Sequence, residues 1–395
     1  MTERLKPLGE VTRLSDSVIR VLGGNPGKFT LQGTNTYLIS PPRATATPTT
    51  PVQTVLVDTG EGVESYALLL QAVLDGKDAR AGSSQRWISD IHHDHVGGLP
   101  SVLEMLSRRA PAPSPPKLHK FPDQASDGLL FEQLKKLPAK RFQPHNGLDG
   151  PSPIRPLKDG DTIELDDVTL QAVHSPGHTA DHICILHHGE RALLTGDHVL
   201  GQGTTVFEDL ASYLSSLRTC EKVLEGAGPT QVDEVEGGLA ERSEERKEGE
   251  NRLYPAHGPI IENGKATLRE YVRHRMERET QIIELLAKPS PDEEEEGSGE
   301  QGHSQWSIKS LVSDLYKSYP EHLYPAAARG LFLHLGKLAQ PDKEYEGVTS
   351  ADGARVECVG HQVVPRMPQS DGEWLQLMES RWRLLGDKAK QKGSL

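Results

Sequence analysis

The chain has 395 residues, with 44 Lys+Arg against 57 Asp+Glu and a formal net charge of −13. That charge argues against a general nucleic-acid coat, which needs a basic surface, although a local basic groove stays open. Aromatics are only 5% and hydrophobics 35%, while 38 Gly and 28 Pro indicate a loop-rich chain with insertions. No stretch approaches the ~20 apolar residues of a membrane span, so no membrane partner is expected. MTERLKPLGEV lacks an apolar signal region, which points to a cytosolic protein. Three cysteines (Cys184, Cys220, Cys358) are too few and too scattered for a disulfide framework. The length suits two or three domains at ~100–200 residues each. Composition does not set the oligomeric state.

In chain order, short β-rich runs alternate with helical patterns. SVIRVLG, NTYLIS and TVLVD read as strands, and GVESYALLLQAVLDG (62–76) as a helix. WISDI, TIELDD, VTLQAVHS, HICILHH and RALLTG read as further strands, bounded by Gly, Asp and Pro turn signals. FEDLASYLSSLRTCEKVLEG (207–226) and the charged ATLREYVRHRMERETQIIELLAK (266–288) have helical spacing. Strands interleaved with helices indicate an α/β layered body over 1–287. Polar insertions are expected near 41–53, 108–117 and 226–252. KPSPDEEEEGSGEQG opens an acidic linker, 288–304. The tail, 305–395, reads as a small, mostly helical domain of winged-helix type. It has helices in WSIKSLVSDLYKSY and PAAARGLFLHLGKLAQ, a strand in RVECVGHQVV and a final helix in GEWLQLMESRWRLLGDKAK.

The chemistry concentrates in Asp90-Ile91-His92-His93-Asp94-His95-Val96-Gly97-Gly98, directly after a strand-like run. Metal sites need converging lone pairs, and short loops at strand ends deliver them. Three more pieces follow the same logic: Ser175-Pro176-Gly177-His178, Thr195-Gly196-Asp197-His198 and Pro255-Ala256-His257-Gly258. Each alone is weak, because a single His after a strand is more often a surface or core residue. Four in this order are a strong signal. No GxSxG elbow, Walker loop or GxGxxG fingerprint competes with them.

This order resembles the metallo-β-lactamase superfamily over roughly residues 17–265. Within it, NPGKFTLQGTNTYLIS, VDTGEG, PGHTADH, GTTVFEDLASYLSSL and YVRHRMERETQI resemble the β-lactamase-like protein 2 family. Fungal lactamase-type polyketide thioesterases are similar too. The resemblance implies an αββα sandwich followed by a winged-helix-like domain. It implies two zinc ions per chain: His92 and His178 on the first, Asp94, His95 and His257 on the second, and Asp197 bridging. The family's first ligand His falls on Asp90 here. An Asp is a legitimate zinc or manganese ligand, and if Asp90 ligates, harder metals such as manganese become more tolerable. If it points away, the first site is weakened.

Two adjacent metals would activate a water as hydroxide for attack on a carbonyl or phosphorus, with Asp94 or Asp197 relaying the proton. His182 is read either as polarising the substrate or as satisfying a loop carbonyl. Asp58 either orients the metal loop or caps its own turn. Asn35 and Thr36 either line the pocket or serve a turn. His93 is expected to face solvent or substrate, His198 to be structural, and Cys184 to be a core thiol. Three functions remain open. Family resemblance implies cleavage of single-stranded RNA, with mitochondrial placement as an alternative to cytosol. An acyl-thioesterase acting on carrier-protein-bound substrates is the second. A non-catalytic binding protein is the third, supported by the Asp90 departure alone.

Deleting 226–252 is expected to leave folding and metal content largely intact, because loop length changes closure entropy slowly. A melting temperature lowered by more than about 4–8 °C, on the order of 1 kcal/mol or more, would show that the segment packs on the body.

Overall fold

The structure is a computed structural model. It describes residues 5–42, 52–77, 81–90, 92–109, 114–138, 140–147, 150–226, 251–292, 304–340, 354–361, 365, 367, 368 and 370–385. Most of the first and third expected insertions (43–51, 227–250) and of the expected linker (293–303), and part of the second insertion (110–113), lie outside the described residues.

The chain divides into two compact units, Met1–Phe207 with Ser216–Leu268, and Glu208–Ser215 with Arg269–Leu395. The first opens with strands β1 (Val11–Arg13), β2 (Val18–Leu22), β3 (Asn35–Ile39) and β4 (Val52–Val57). Helix α1 (Glu64–Lys77), strand β5 (Ala81–Ile88), a short helix α2 (His93–Val96), α3 (Leu99–Arg108) and β6 (Lys117–Lys120) follow. Next come α4 (Asp127–Lys135), the small hairpin β7 (His145–Gly147) and β8 (Gly150–Ser152), and β9 (Arg155–Pro156). The second half supplies β10 (Thr162–Leu165), β11 (Val168–His174), β12 (Ile183–His187), β13 (Ala192–Gly196), α5 (Leu210–Gly226), β14 (Leu253–Pro255) and the start of α6 (Gly264–Leu286), with α5 up to Ser215 and α6 from Arg269 counted in the second unit.

One sheet runs β1-β2-β3-β4-β5-β6-β9 and the other β10-β11-β12-β13-β14. Alternation along the strands explains their pairing. In β3 and β4, Tyr37, Ile39, Val55 and Val57 enter a core shared with Leu170, Ala172, Ile183, Ile185 and Leu194 of the other sheet. Leu38 and Leu56, one residue out of phase, pack instead with Tyr66, Leu70, Leu74, Val102 and Leu106 of α1 and α3. Period-two side-chain alternation thus fills two apolar layers from the same strands. On the second sheet, the Sγ atoms of Cys184 in β12 and Cys220 in α5 lie 3.6 Å apart, both buried and free, as expected for core thiols.

In the second unit, α7 (Ile308–Leu315) and α8 (Tyr324–Ala339) are joined by a 3-10 turn, Glu321–Leu323. They are followed by β16 (Arg355–Cys358), α9 (Asp371–Met378) and β17 (Arg381–Leu385), and β15 (Trp306–Ser307) completes a sheet in the order β15-β17-β16. The stretch expected as one final helix is therefore a short helix and a strand. Ser370 accepts a hydrogen bond from Glu373 N and starts α9. Beyond it, Trp382 and Leu384 are buried while Arg381 and Arg383 are not, which is a strand period. The lysines at 388, 390 and 392 lie outside the described residues. Among the described residues, no helix is long and apolar enough to cross a membrane.

The end of the third insertion differs from the expectation of a dispensable polar loop. Asn251 and Arg252 are buried. Arg252 pairs with Glu262 at 2.9 Å and donates to Leu14 O, and Asn251 N donates to Arg191 O. A deletion of that insertion therefore has to stop before residue 251.

Candidate metal centre

The metal loop is set by what surrounds it rather than by its own helix, which is only one turn long. Asp58 ends β4 with φ +59, a conformation Asp tolerates better than most residues. Its Oδ1 accepts the Ser89 backbone N–H at 2.8 Å, and its Oδ2 lies 2.9 Å from His95 Nδ1. Thr59 N and Oγ1 both donate to His95 O at 2.8 Å. Gly98 closes the loop, and a Cβ there would stand 1.9 Å from Thr59 O, so no larger residue fits.

The donors then converge from four strand ends. Asp90 Oδ2 lies 3.1 Å from His178 Nε2 and 3.3 Å from His92 Nδ1, while Asp90 Oδ1 accepts His92 N–H at 2.6 Å. His178 Nε2 and His92 Nδ1 are 3.2 Å apart. His257 Nε2 lies 3.1 Å from Asp94 Oδ2 and 3.2 Å from Asp197 Oδ1. His95 Nε2 lies 3.5 Å from Asp94 Oδ2 and 3.7 Å from Asp197 Oδ1. Asp197 turns its other oxygen, Oδ2, to His178 Nε2 at 3.5 Å. Asp90/His92/His178 and Asp94/His95/His257 each converge, Asp90/His95/Asp197 converge between them, and Asp197 offers one oxygen to each side.

These residues fit divalent ions. His95 Nε2 and Asp197 Oδ1 are buried with no hydrogen-bond partner, an arrangement a bound cation would satisfy. The field at the cluster is strongly negative. Burial opposes charge on His178, but the Asp90 contact and the Asp197 charge raise it to about 9. His257 is likewise opposed by burial and raised to about 10 by Asp197 and Asp94. Burial also works against charge on Asp197, yet His257 and His95 hold its carboxyl well below the usual range.

The family described as "Metallo-beta-lactamase superfamily" matches residues 32–257, and the "Beta-lactamase associated winged helix domain" matches 307–343. The chain belongs to the metallo-β-lactamase superfamily. It is 31% identical over 331 residues to a Caenorhabditis elegans "Beta-lactamase-like protein 2 homolog", covering 84% of this chain and 86% of the relative. It is 30% identical over 312 residues to the Cryptosporiopsis "Atrochrysone carboxyl ACP thioesterase dmxR1", covering 79% and 76%. A "Beta-lactamase domain protein from Burkholderia ambifaria" shares the fold at TM-score 0.56 and 15% identity, covering 97% of both chains.

Against the superfamily's pattern, every metal residue read from the sequence comes to one place, Asp90 included. Its carboxylate turns into the cluster rather than away. His182 differs from its expected catalytic role. It is fully buried, its Nδ1 lies 2.8 Å from Ser175 Oγ, and its Nε2 accepts the Asp197 backbone N–H at 3.2 Å. Burial pushes its imidazole down to about 3, so it stays neutral. Both ring nitrogens are spent inside the protein, and His182 positions Asp197 instead of meeting substrate. Gly196 is needed beside it: φ is +50, and a Cβ would approach His182 Nε2 to 2.5 Å. His198 is buried with its ring 5.4 Å from that of His182. His93 is exposed.

Asp58 reaches His95 and Ser89, which belong to the metal loop and the strand end before it, so it orients that loop. Asn35 serves a turn, but one distant along the chain. It sits in β3 and donates through Nδ2 to Pro255 O and Gly258 O, both at 2.8 Å, holding the His257 turn. Thr36, also in β3, donates to Val21 O. Other supports were not legible in the sequence: Thr34 Oγ1 donating to Asp94 Oδ2 at 3.3 Å, and Val206 O accepting from His178 Nδ1 at 2.6 Å. Nothing in a Thr or a backbone carbonyl marks it beforehand.

Substituting His178 or His92 with Ala is expected to leave metal content near one ion per chain and to abolish most activity. Unchanged stoichiometry in both, measured by elemental analysis, would refute the ligand assignment. The metal-free centre should also compete for protons. With His178 raised to about 9 and His257 to about 10, both carry protons at neutrality. Metal loading then releases protons, and affinity rises as pH rises from neutrality toward 9–10. Titration in weak buffer with proton-release readout checks this; a pH-independent affinity over that window contradicts it.

Proposed function

We propose that this chain is a metal-dependent hydrolase that cleaves phosphodiesters of single-stranded RNA, with zinc as its ion and manganese tolerated. The observation that carries the hydrolytic reading is the split of Asp197 between two donor groups. It holds the two sites close enough to share one substrate. Divalent ions held by these residues would supply Lewis acidity to a water and to the substrate oxygen. The chain's own residues do the rest. Asp197 fixes the spacing, held by His182 from behind. Asp94 has 21% of its side chain exposed, against 14% for Asp197 and 0% for Asp90. It is therefore the carboxylate placed to pass a proton to solvent or to the leaving oxygen.

The choice of RNA rests on the loop that precedes Thr34. Asn25 accepts from Thr34 N through Oδ1 and donates to Thr34 Oγ1, closing the loop at its base. Thr34 in turn bonds Asp94 and bridges His257. At the tip, Phe29 is 71% exposed with Lys28 Nζ 5.4 Å from its ring centre. An exposed ring beside a cation, on a segment anchored to metal ligands, suits a stacked base and its phosphate. Thioester hydrolysis is the second reading, favoured by the 30% identity to the relative named as a carrier-protein thioesterase.

Parallel assays of the zinc-loaded protein on single-stranded RNA and on acyl thioesters decide between them. RNA cleavage that a chelator abolishes, and that Phe29→Ala weakens through KM, is the expected result. Faster thioester turnover with intact RNA would establish the second reading. Asp90→His exchanges an anionic donor for a neutral imidazole. The acidic limb of the pH–rate profile should move to lower pH, and zinc preference over manganese should sharpen, at unchanged stoichiometry. A variant matching the parent in metal content, preference and profile would leave Asp90 without a role.

A further inference from the structure

A buried cation lies just behind the first donor group. Lys120, the last residue of β6, is 1% exposed. Its Nζ lies 2.6 Å from Asp181 Oδ2 and 2.7 Å from Asp127 Oδ1, and it donates to Phe121 O at 2.9 Å. Asp181 belongs to the turn that carries His178 and is itself buried. The next residue, Phe121, stacks on His174 at 3.8 Å between centroids and 5° between planes, and His174 Nε2 lies 3.0 Å from Ala180 O. The end of β6 thus meets the second sheet's metal-bearing turn at Asp181 and, through His174, at Ala180.

We propose that Lys120 is a positioning residue for the first metal site, acting through its ion pair with Asp181. The turn has other fixed points: His178 Nδ1 lies 2.6 Å from Val206 O, Gly177 N donates to Thr179 O at 3.0 Å, His174 Nε2 lies 3.0 Å from Ala180 O, and Ser216 Oγ donates to Pro176 O at 2.8 Å. Lys120 adds the ion pair that holds the Asp181 carboxylate. Asp181 also lies within the field of Asp90, which stands where the superfamily has a neutral imidazole. A buried carboxylate in that field needs a cation beside it, and Lys120 supplies one. Without the pair, Asp181 would be pushed out of place and His178 with it.

The inference rests on the two-ion reading of the centre, and its test separates the two. Zinc titration of the parent against a chelator should give two dissociation constants, and the one lost in His178→Ala marks the first site. Lys120→Met and Asp181→Asn should each raise the first-site constant about tenfold or more, with the second unchanged. The double variant should be no weaker than the weaker single, because both act through one contact. Asp181→Asn keeps the side-chain shape and carries the test if Lys120→Met does not fold. An unchanged first-site constant in a folded single variant, equal weakening of both sites, or additive losses would overturn the proposal alone. A parent without two constants would overturn the two-ion reading and the proposal with it.

Discussion

Three carboxylates, Asp90, Asp94 and Asp197, meet within one cluster of imidazoles, and their mutual repulsion governs everything built around them. Like charges at such separations are tolerated only when cations offset them. In the metal-free protein the offset comes from protons on His178 and His257, both raised far above an ordinary imidazole. Divalent ions do the same more effectively, because each interacts with several donors at once. The need for cations is therefore written into the fold, and the chemistry of hydrolysis uses it.

Rigidity of the donors follows from a repeated arrangement. Two imidazoles present one nitrogen to the cluster while the other is tied behind: His95 to Asp58, and His178 to Val206 O. His257 is held through its backbone, by Asn35 gripping the carbonyls on either side of it. Asp197 is held by His182 through its amide. Such outer partners fix ring orientation and ligand basicity, and they account for polar residues buried in an otherwise apolar sandwich. They also explain why His182 is buried and neutral although its neighbours in the sequence suggested a catalytic group.

The second unit has its own core, with Leu311, Leu331, Leu335 and Trp382 at its centre. Phe332 meets Trp382 edge-on at 6.3 Å. Glu279, fully buried in α6, pairs with Lys337 Nζ at 2.7 Å and 2.9 Å, so its carboxylate is neutralised locally. Its three-stranded sheet and helices agree with the matched winged-helix family. The unit therefore stands as a separately packed module rather than an extension of the sandwich.

Much of this was determined by sequence alone. Short β-rich apolar runs predicted most of the principal strands of both sheets, because strands buried on both faces are apolar along their length. The His and Asp residues after those strands predicted the metal cluster, because few other roles need so many donors at turn positions. RWRLL was misread as helix, since five residues carry too little periodicity to outweigh the helical signal before them. What the sequence could not settle was direction and partner. Whether Asp90 faced in or out depended on where His178 stood, and His178 lies on a different strand. Lys120, Asn35 and Thr34 acquired their roles only through contacts with residues distant along the chain. A side chain's chemistry is local, but the lone pair it meets is delivered by tertiary packing.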